Sequence, residues 1–151
     1  MTRGAERTVL FVCVENACRS LMAEAIFNAD PPPGWRARSA GTRPAAQPNP
    51  RTAPMLREIG IEPPDHPPEL LTPEMSAAAE LRISMGCLND ASCPVYLHGG
   101  GLRDWELEDP ARLDDDGFRA VRQRVVEQVR RLRSELRTTS GRRDAPWSTG
   151  R

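Results

Sequence analysis

Seven consecutive residues, Thr8 to Val14 (TVLFVCV), are apolar or β-branched without a charged interruption. A run this short and this continuous suits a strand buried on both faces, the usual state of a central strand in a parallel sheet. A polar turn follows from Glu15 to Ser20. Then comes LMAEAIF (Leu21 to Phe27), in which Leu21, Met22, Ala25 and Ile26 share one helical face. Pro31 to Pro33 and Gly34 end that helix.

The same alternation continues along the chain. A second short strand is predicted over Trp35 to Ala40, ended by Gly41, and Gln47 to Pro50 is a loop. Asn49 is a good cap and Pro50 a good first position for a helix that runs to Ile59, where Gly60 stops it. Glu62 to Pro68 is too rich in proline to be anything but loop, and Thr72 followed by Pro73 opens another helix. Leu81 to Met85 reads as a third strand, Gly86 to Gly101 as irregular chain, and Leu102 to Leu107 as a fourth strand or an extended loop.

Asp114 to Asp116 place negative charge where the dipole of a long final helix favours it. Phe118, Val121, Val125, Val129, Leu132 and Leu136 make its apolar stripe. Arg122, Arg124, Arg130, Arg131 and Arg133 fall mostly off that stripe and read as a solvated face balanced by Glu127 and Glu135, in preference to a nucleic-acid contact. Past Arg137 the chain turns to Gly, Ser and Thr, and residues 138–151 are expected to form a flexible tail. Strands alternating with helices predict an α/β protein built on a parallel sheet, one domain over residues 1–151 with its core at about 8–137.

Composition narrows the classes. At 151 residues and 38% apolar content the chain suits a single core, and its formal net charge of zero gives no general attraction to nucleic acid or to an acidic membrane face. Lysine is absent and there are 15 prolines, a pattern of GC-rich coding that says nothing about chemistry. No apolar stretch reaches the length of a membrane span, and Met1 to Arg7 lacks the apolar core of a signal peptide, so a cytoplasmic location is expected. Four cysteines in a reducing compartment point to reactive or metal-binding thiols before structural disulfides.

The informative stretch is Cys13-Val14-Glu15-Asn16-Ala17-Cys18-Arg19-Ser20, between the first strand and the first helix. A loop in that place can turn its N–H groups toward one spot, and the helix dipole favours an anion there. Residues Val14 to Ser20 are therefore the candidate oxyanion-binding residues, with Arg19 supplying a planar fork for two oxygens. Cys13 stands beneath the anion. Helix N-termini and neighbouring arginines lower a thiol pKa from its ordinary value of about 8.5, and Ser20 can donate to the sulfur, so a nucleophilic thiolate is expected.

VLFVCVENACRSLMAEAIF resembles the phosphate-binding loop of the low-molecular-weight protein tyrosine phosphatase superfamily, and within it the thiol-dependent arsenate reductases. The resemblance extends through Ser39 to Thr42 (SAGT), Ser84 to Cys87 (SMGC) and Asp104 to Pro110 (DWELEDP), and so covers about Thr8 to Leu136. It implies a three-layer α/β/α fold with a four-stranded parallel sheet and the anion loop at the carboxyl end of the first strand. Two departures stand out. Glu15 replaces a glycine of many members and is expected to face solvent, away from the anion. The stretch that carries a threonine and an aspartate at a potassium site in several reductases reads His66-Pro67-Pro68-Glu69 here, and no metal is assigned.

Displacement at phosphorus or arsenic requires a proton for the departing oxygen. The resemblance implies Asp109 of Asp109-Pro110 as that acid; by sequence alone Asp104 and Glu108 are close runners-up, and an aspartate before proline is also a common turn. Cys87 and Cys93 follow the third strand, whose end should lie beside that of the first. The resemblance to relay-type reductases implies that Cys87 resolves an arsenylated Cys13 and that Cys93 then pairs with Cys87 for reduction by thioredoxin. Other readings of the pair are inert buried cysteines, a zinc site with His66 or His98, or a vestige in an enzyme recycled by mycothiol and a mycoredoxin. Cys18 could protect Cys13 by pairing with it under oxidation.

Three functions follow from these residues: arsenate reduction, hydrolysis of phosphotyrosine or small aryl phosphates, and non-catalytic oxyanion or redox sensing. The chain has few aromatic residues, with Trp105 the nearest by motif to hold a ring, which weighs against phosphotyrosine. No cofactor is expected beyond a thiol reductant acting as co-substrate, and no nucleic-acid or membrane partner.

Overall fold

In the computed structural model, residues 6–86, 93–97 and 101–138 are described. Cys87, His98 and the tail beyond residue 138 lie outside them. Four strands, β1 (Arg7–Cys13), β2 (Trp35–Gly41), β3 (Leu81–Ser84) and β4 (Leu102–Asp104), form one sheet in the order β2-β1-β3-β4. All three pairings are parallel. β1 is central, and its near-continuous apolar run has a structural cause. Val9, Phe11 and Cys13 face the core shared with α1 (Arg19–Asn28) and α4 (Asp115–Thr138). Leu10 and Val12 face a second cluster with Ala40, Leu71 and Leu97 on the opposite side, where α3 (Pro73–Ala78) lies. Helical segments thus cover both faces of the sheet, giving three α/β/α layers.

The apolar stripe of α4 is buried as its period predicts: Phe118, Val121, Val125, Val129, Leu132 and Leu136 all lie inside. Each side chain of this kind contributes about 1.5–3 kcal/mol when fully buried. Thr72 caps α3 with its hydroxyl, which accepts from the Met75 N–H at 3.1 Å.

Three expectations are corrected. The first helix is not amphipathic; Arg19 through Phe27 are all buried, because α1 is wedged between the sheet, α4 and α2 (Thr52–Arg57). α2 begins two residues later than the Asn49-Pro50 signal suggests. Asn49 Oδ1 accepts from the Arg51 N–H at 2.9 Å, a local turn that competes with helical geometry. The arginines of α4 are not uniformly solvated: Arg122 donates to the Met55 carbonyl at 2.9 Å and to Glu58, and Arg133 donates to the Ile26 carbonyl. Glu135 pairs with Arg103 of β4 instead of balancing that face.

β1 has β2 on one side and β3 on the other, so the crevice beyond the carboxyl ends of β1 and β3 is the point where an α/β sheet binds ligands. Cys13 is the last residue of β1.

Candidate active site

After β1 the chain turns sharply, and the turn is held from outside. The carbonyls of Cys13, Val14, Glu15 and Ala17 accept from the N–H groups of Thr42, Arg43, Ala45 and Asn49 at 2.8–3.2 Å. A planar trans peptide points its N–H opposite to its carbonyl. The N–H groups of Val14, Glu15, Asn16 and Cys18 are therefore directed to the inner side of the loop. That of Asn16 donates to Cys13 Sγ at 3.2 Å. Asn16 adopts a left-handed backbone (φ 52°), which asparagine tolerates well. Gly41 allows the close approach of β2: a Cβ there would sit 2.7 Å from the Val14 carbonyl oxygen.

Asn16 and Ser20 do not line the cavity; they stand behind the sulfur and orient it. Asn16 Nδ2 donates to Ser20 Oγ at 2.6 Å, while Asn16 Oδ1 accepts from the Glu69 N–H at 2.9 Å. With its oxygen already accepting, the Ser20 hydroxyl is left to donate to Cys13 Sγ, 2.9 Å away. The cavity in front has a volume of about 160 Å³ and is lined by Cys13, Val14, Glu15, Ala17, Cys18, Arg19, Arg43, Asp109 and Arg112. A liquid water takes about 30 Å³, so there is ample space for a tetrahedral oxyanion.

Arg19 is buried and donates through Nη1 to the Leu107 carbonyl at 3.1 Å. Its room comes from Gly86: a Cβ at that position would stand 2.3 Å from Arg19 Nη1. Gly86 also has φ 96°, which an L side chain rarely adopts. Gly86→Ala should therefore shift the guanidinium off the anion. An ångström of misplacement is worth roughly 10²-fold in rate, whereas the left-handed alanine costs only about 1–2 kcal/mol. Turnover and phosphate inhibition should both weaken in a variant that still unfolds cooperatively; unchanged phosphate inhibition would show that Arg19 does not need the space.

The three candidate acids separate clearly. Asp104 accepts from Ser84 Oγ at 2.6 Å beside β3, and Glu108 is exposed away from the cavity. Asp109 lines the cavity, its Oδ1 accepting from the Ala111 N–H at 3.0 Å. Glu15 is exposed, as expected, but it lines the cavity instead of standing away from it. Trp105 is no wall for a substrate ring; it is buried against Phe11, ring centroids 5.6 Å apart. Cys93 is half-buried at the edge of the second core cluster. Cys18 lies inside the loop, where burial pushes its thiol up to about 12 and the Thr52 hydroxyl only partly offsets this. At neutral pH Cys18 is therefore a thiol.

Residue-by-residue reading of the sequence does not reveal Arg43, Arg112, Gly41 or Gly86, because each reaches the loop from another element. The one available signal was the pair of glycines, both of which fall at the ends of predicted strands.

Beside the loop lies a second polar cluster. Glu24 of α1 accepts from Ser39 Oγ, and its two oxygens meet His66 Nε2 at 2.9 and 3.0 Å. The His66 Nδ1 faces the Pro67 carbonyl at 2.7 Å. His66 thus sits on a carboxylate and not beside a cysteine. Among the described residues no group of three or more His, Cys, Asp or Glu could hold a metal ion. Burial opposes a charge on His66, but the Pro67 carbonyl and the Glu24 carboxylate outweigh it and raise the pKa above 6.5. The folded state then holds this proton more tightly than the unfolded chain does. The stabilisation is complete below pH 6.5, the ordinary value, and is lost as pH rises through the raised one. In urea unfolding, the advantage of the protein over His66→Gln should shrink between pH 6 and pH 9; an advantage constant with pH would show that the imidazole is neutral.

The chain is 29% identical over 120 residues to arsenate reductase 1 of Staphylococcus epidermidis, which covers 80% of this chain and 90% of that protein. It superposes on an arsenate reductase from Archaeoglobus fulgidus with a TM-score of 0.69 at 30% identity, covering 83% of this chain and 98% of that one. It also superposes on a thioredoxin-dependent arsenate reductase from Corynebacterium glutamicum with a TM-score of 0.74 at 28% identity; 92% of this chain is covered, but it spans only 66% of that longer protein. Residues 8–141 match the sequence profile of the low molecular weight phosphotyrosine protein phosphatases, and the chain belongs to that family of enzymes.

Proposed function

We propose that the chain is an arsenate reductase working through a cysteine relay. The observation that carries this reading is the cavity with Cys13 at its base, lined by three arginines and by no aromatic side chain among the described residues. Such a cup suits an inorganic oxyanion better than an aryl ester.

In the proposed sequence, arsenate binds to the inward N–H groups and Arg19. Cys13 attacks arsenic, an oxygen leaves as water with a proton from Asp109, and a thiol–arsenate adduct remains. Cys87 then attacks the Cys13 sulfur. The sulfur–arsenic bond breaks, its electron pair stays on arsenic, and arsenite departs as Cys13 and Cys87 become joined. Attack by Cys93 on Cys87 releases Cys13, leaving a Cys87–Cys93 disulfide for an external dithiol to reduce. Two observations support this order. Gly86, the residue directly before Cys87, packs against Arg19, and the chain's relatives include proteins named as arsenate reductases. Thioredoxin is the reductant that this relay implies; mycothiol with a mycoredoxin would recycle Cys13 without the relay, with Cys87 and Cys93 then a vestige.

A phosphomonoesterase is the second reading, because nucleophile, arginine and acid suffice for ester hydrolysis and the family carries a phosphatase name. The two are separated by incubating the protein with arsenate, thioredoxin, thioredoxin reductase and NADPH, beside a parallel assay with 4-nitrophenyl phosphate. Arsenate-dependent NADPH oxidation is expected. Aryl phosphate turnover with no response to arsenate would overturn the reductase reading.

A further inference from the structure

We propose that Arg51 is a positioning residue that holds the acid loop at a set distance from the nucleophile loop. This rests on the reading of Asp109 as the acid. Arg51 immediately precedes α2, with its guanidinium 4.8 Å over the Phe118 ring. Nη2 donates to two successive carbonyls, Pro110 at 3.1 Å and Ala111 at 3.3 Å, while Nη1 donates to Asp115 Oδ1 at 3.1 Å. These carbonyls follow Asp109 directly, and the N–H of Ala111 is the one that Asp109 Oδ1 accepts. One planar fork therefore fixes the peptide that orients the carboxylate.

The neighbours of Arg51 hold the other half of the site. The Asn49 N–H and the Thr52 hydroxyl both donate to the Ala17 carbonyl, at 3.2 and 2.6 Å. Ala17 belongs to the loop that carries Cys13 and lines the same cavity as Asp109. Residues 49–52 thus form a strut, bonded to the anion loop at one end and to the acid loop at the other. A lysine ammonium at position 51 could meet the two carbonyls from one point, but it has no second nitrogen to reach the Asp115 carboxylate as Nη1 does. Arg51 touches neither the sulfur nor the anion space; its effect is transmitted through where Asp109 stands.

The test compares Arg51→Met, Arg51→Lys, Asp109→Asn and the double variant Arg51→Met/Asp109→Asn. Methionine keeps an apolar stem over Phe118, and lysine is the milder change if methionine folds poorly. The readouts are arsenate turnover, hydrolysis of phenyl phosphate and of 4-nitrophenyl phosphate, and inhibition by inorganic phosphate. Phenolate needs a proton to leave and 4-nitrophenolate needs it far less, so misplacing the acid is read in their ratio. Arg51→Met is expected to lower phenyl phosphate turnover by roughly 10-fold or more, part of the 10²–10⁴ that a general acid supplies. The 4-nitrophenyl ester should lose about threefold or less, phosphate inhibition should stay within about twofold, and lysine should fall between. In the Asp109→Asn background the methionine change should add nothing, for arsenate as for the esters. Equal losses on both esters, or losses that multiply in the double variant, would overturn the role of Arg51 while leaving Asp109 as the acid. If Asp109→Asn itself leaves the ester ratio unchanged, the acid assignment fails and the role of Arg51 falls with it.

Discussion

Cys13→Ser removes both arsenate turnover and aryl phosphate hydrolysis, by on the order of 10⁴- to 10⁶-fold, the scale of losing a covalent nucleophile. The prediction is severe because no other described residue lining the cavity can replace Cys13. Cys18 lines the same cavity, but burial holds it protonated, with its value pushed up to about 12. Ser20 is committed to Asn16 on one side and to the sulfur on the other. A serine at position 13 would preserve the shape of the cup and most of its polar contacts, so phosphate or arsenate should still bind. Retained anion binding with lost turnover, measured by protection of the folded state in thermal unfolding, is the expected pair of results. If turnover persisted, the anion cup would have to be serving another nucleophile.

Cys87→Ser and Cys93→Ser are expected to abolish thioredoxin-linked arsenate reduction and to leave aryl phosphate hydrolysis within about twofold. The asymmetry comes from electron counting. Ester hydrolysis changes no oxidation state and needs only nucleophile, arginine and acid. Arsenate reduction moves two electrons, and each disulfide supplies two, so two further thiols are required to leave Cys13 free at the end of a turnover. In the Cys87 variant the reaction should stop at the Cys13 adduct; in the Cys93 variant it should stop with Cys13 joined to Cys87, a species that mass spectrometry of the intact chain distinguishes. Undiminished arsenate turnover in Cys87→Ser would mean that an external thiol attacks the adduct directly, as a small-thiol system does.

Much of this site is legible in the amino-acid chain itself. The strand Arg7–Cys13, the loop to Arg19 and the helix that begins there are contiguous, so their chemistry follows from local spacing. The long α4 stripe and the Thr72 cap followed from the same kind of short-range rule. The weaker readings were those where neighbours in space override neighbours in sequence. α1 looked amphipathic and is buried on all sides, since α4 and α2 close over the face its sequence left unassigned. Trp105 is offered by its motif to a substrate ring and is core, because its ring packs against Phe11 in the main core cluster.

The sequence by itself determined the order of elements, the α/β class and the cysteine–arginine loop, since each is encoded within a few residues through backbone preference and apolar period. Only the tertiary structure decided which of three carboxylates reaches the cavity, that Gly86 makes room for Arg19, and that Arg51 ties the start of α2 to the segment after Asp109. Those facts depend on strand register and helix docking, which bring together groups as far apart as Arg19 and Leu107, 88 positions along the chain. Contacts over such separations are set by the packing of the whole core, and no local pattern in the chain carries them.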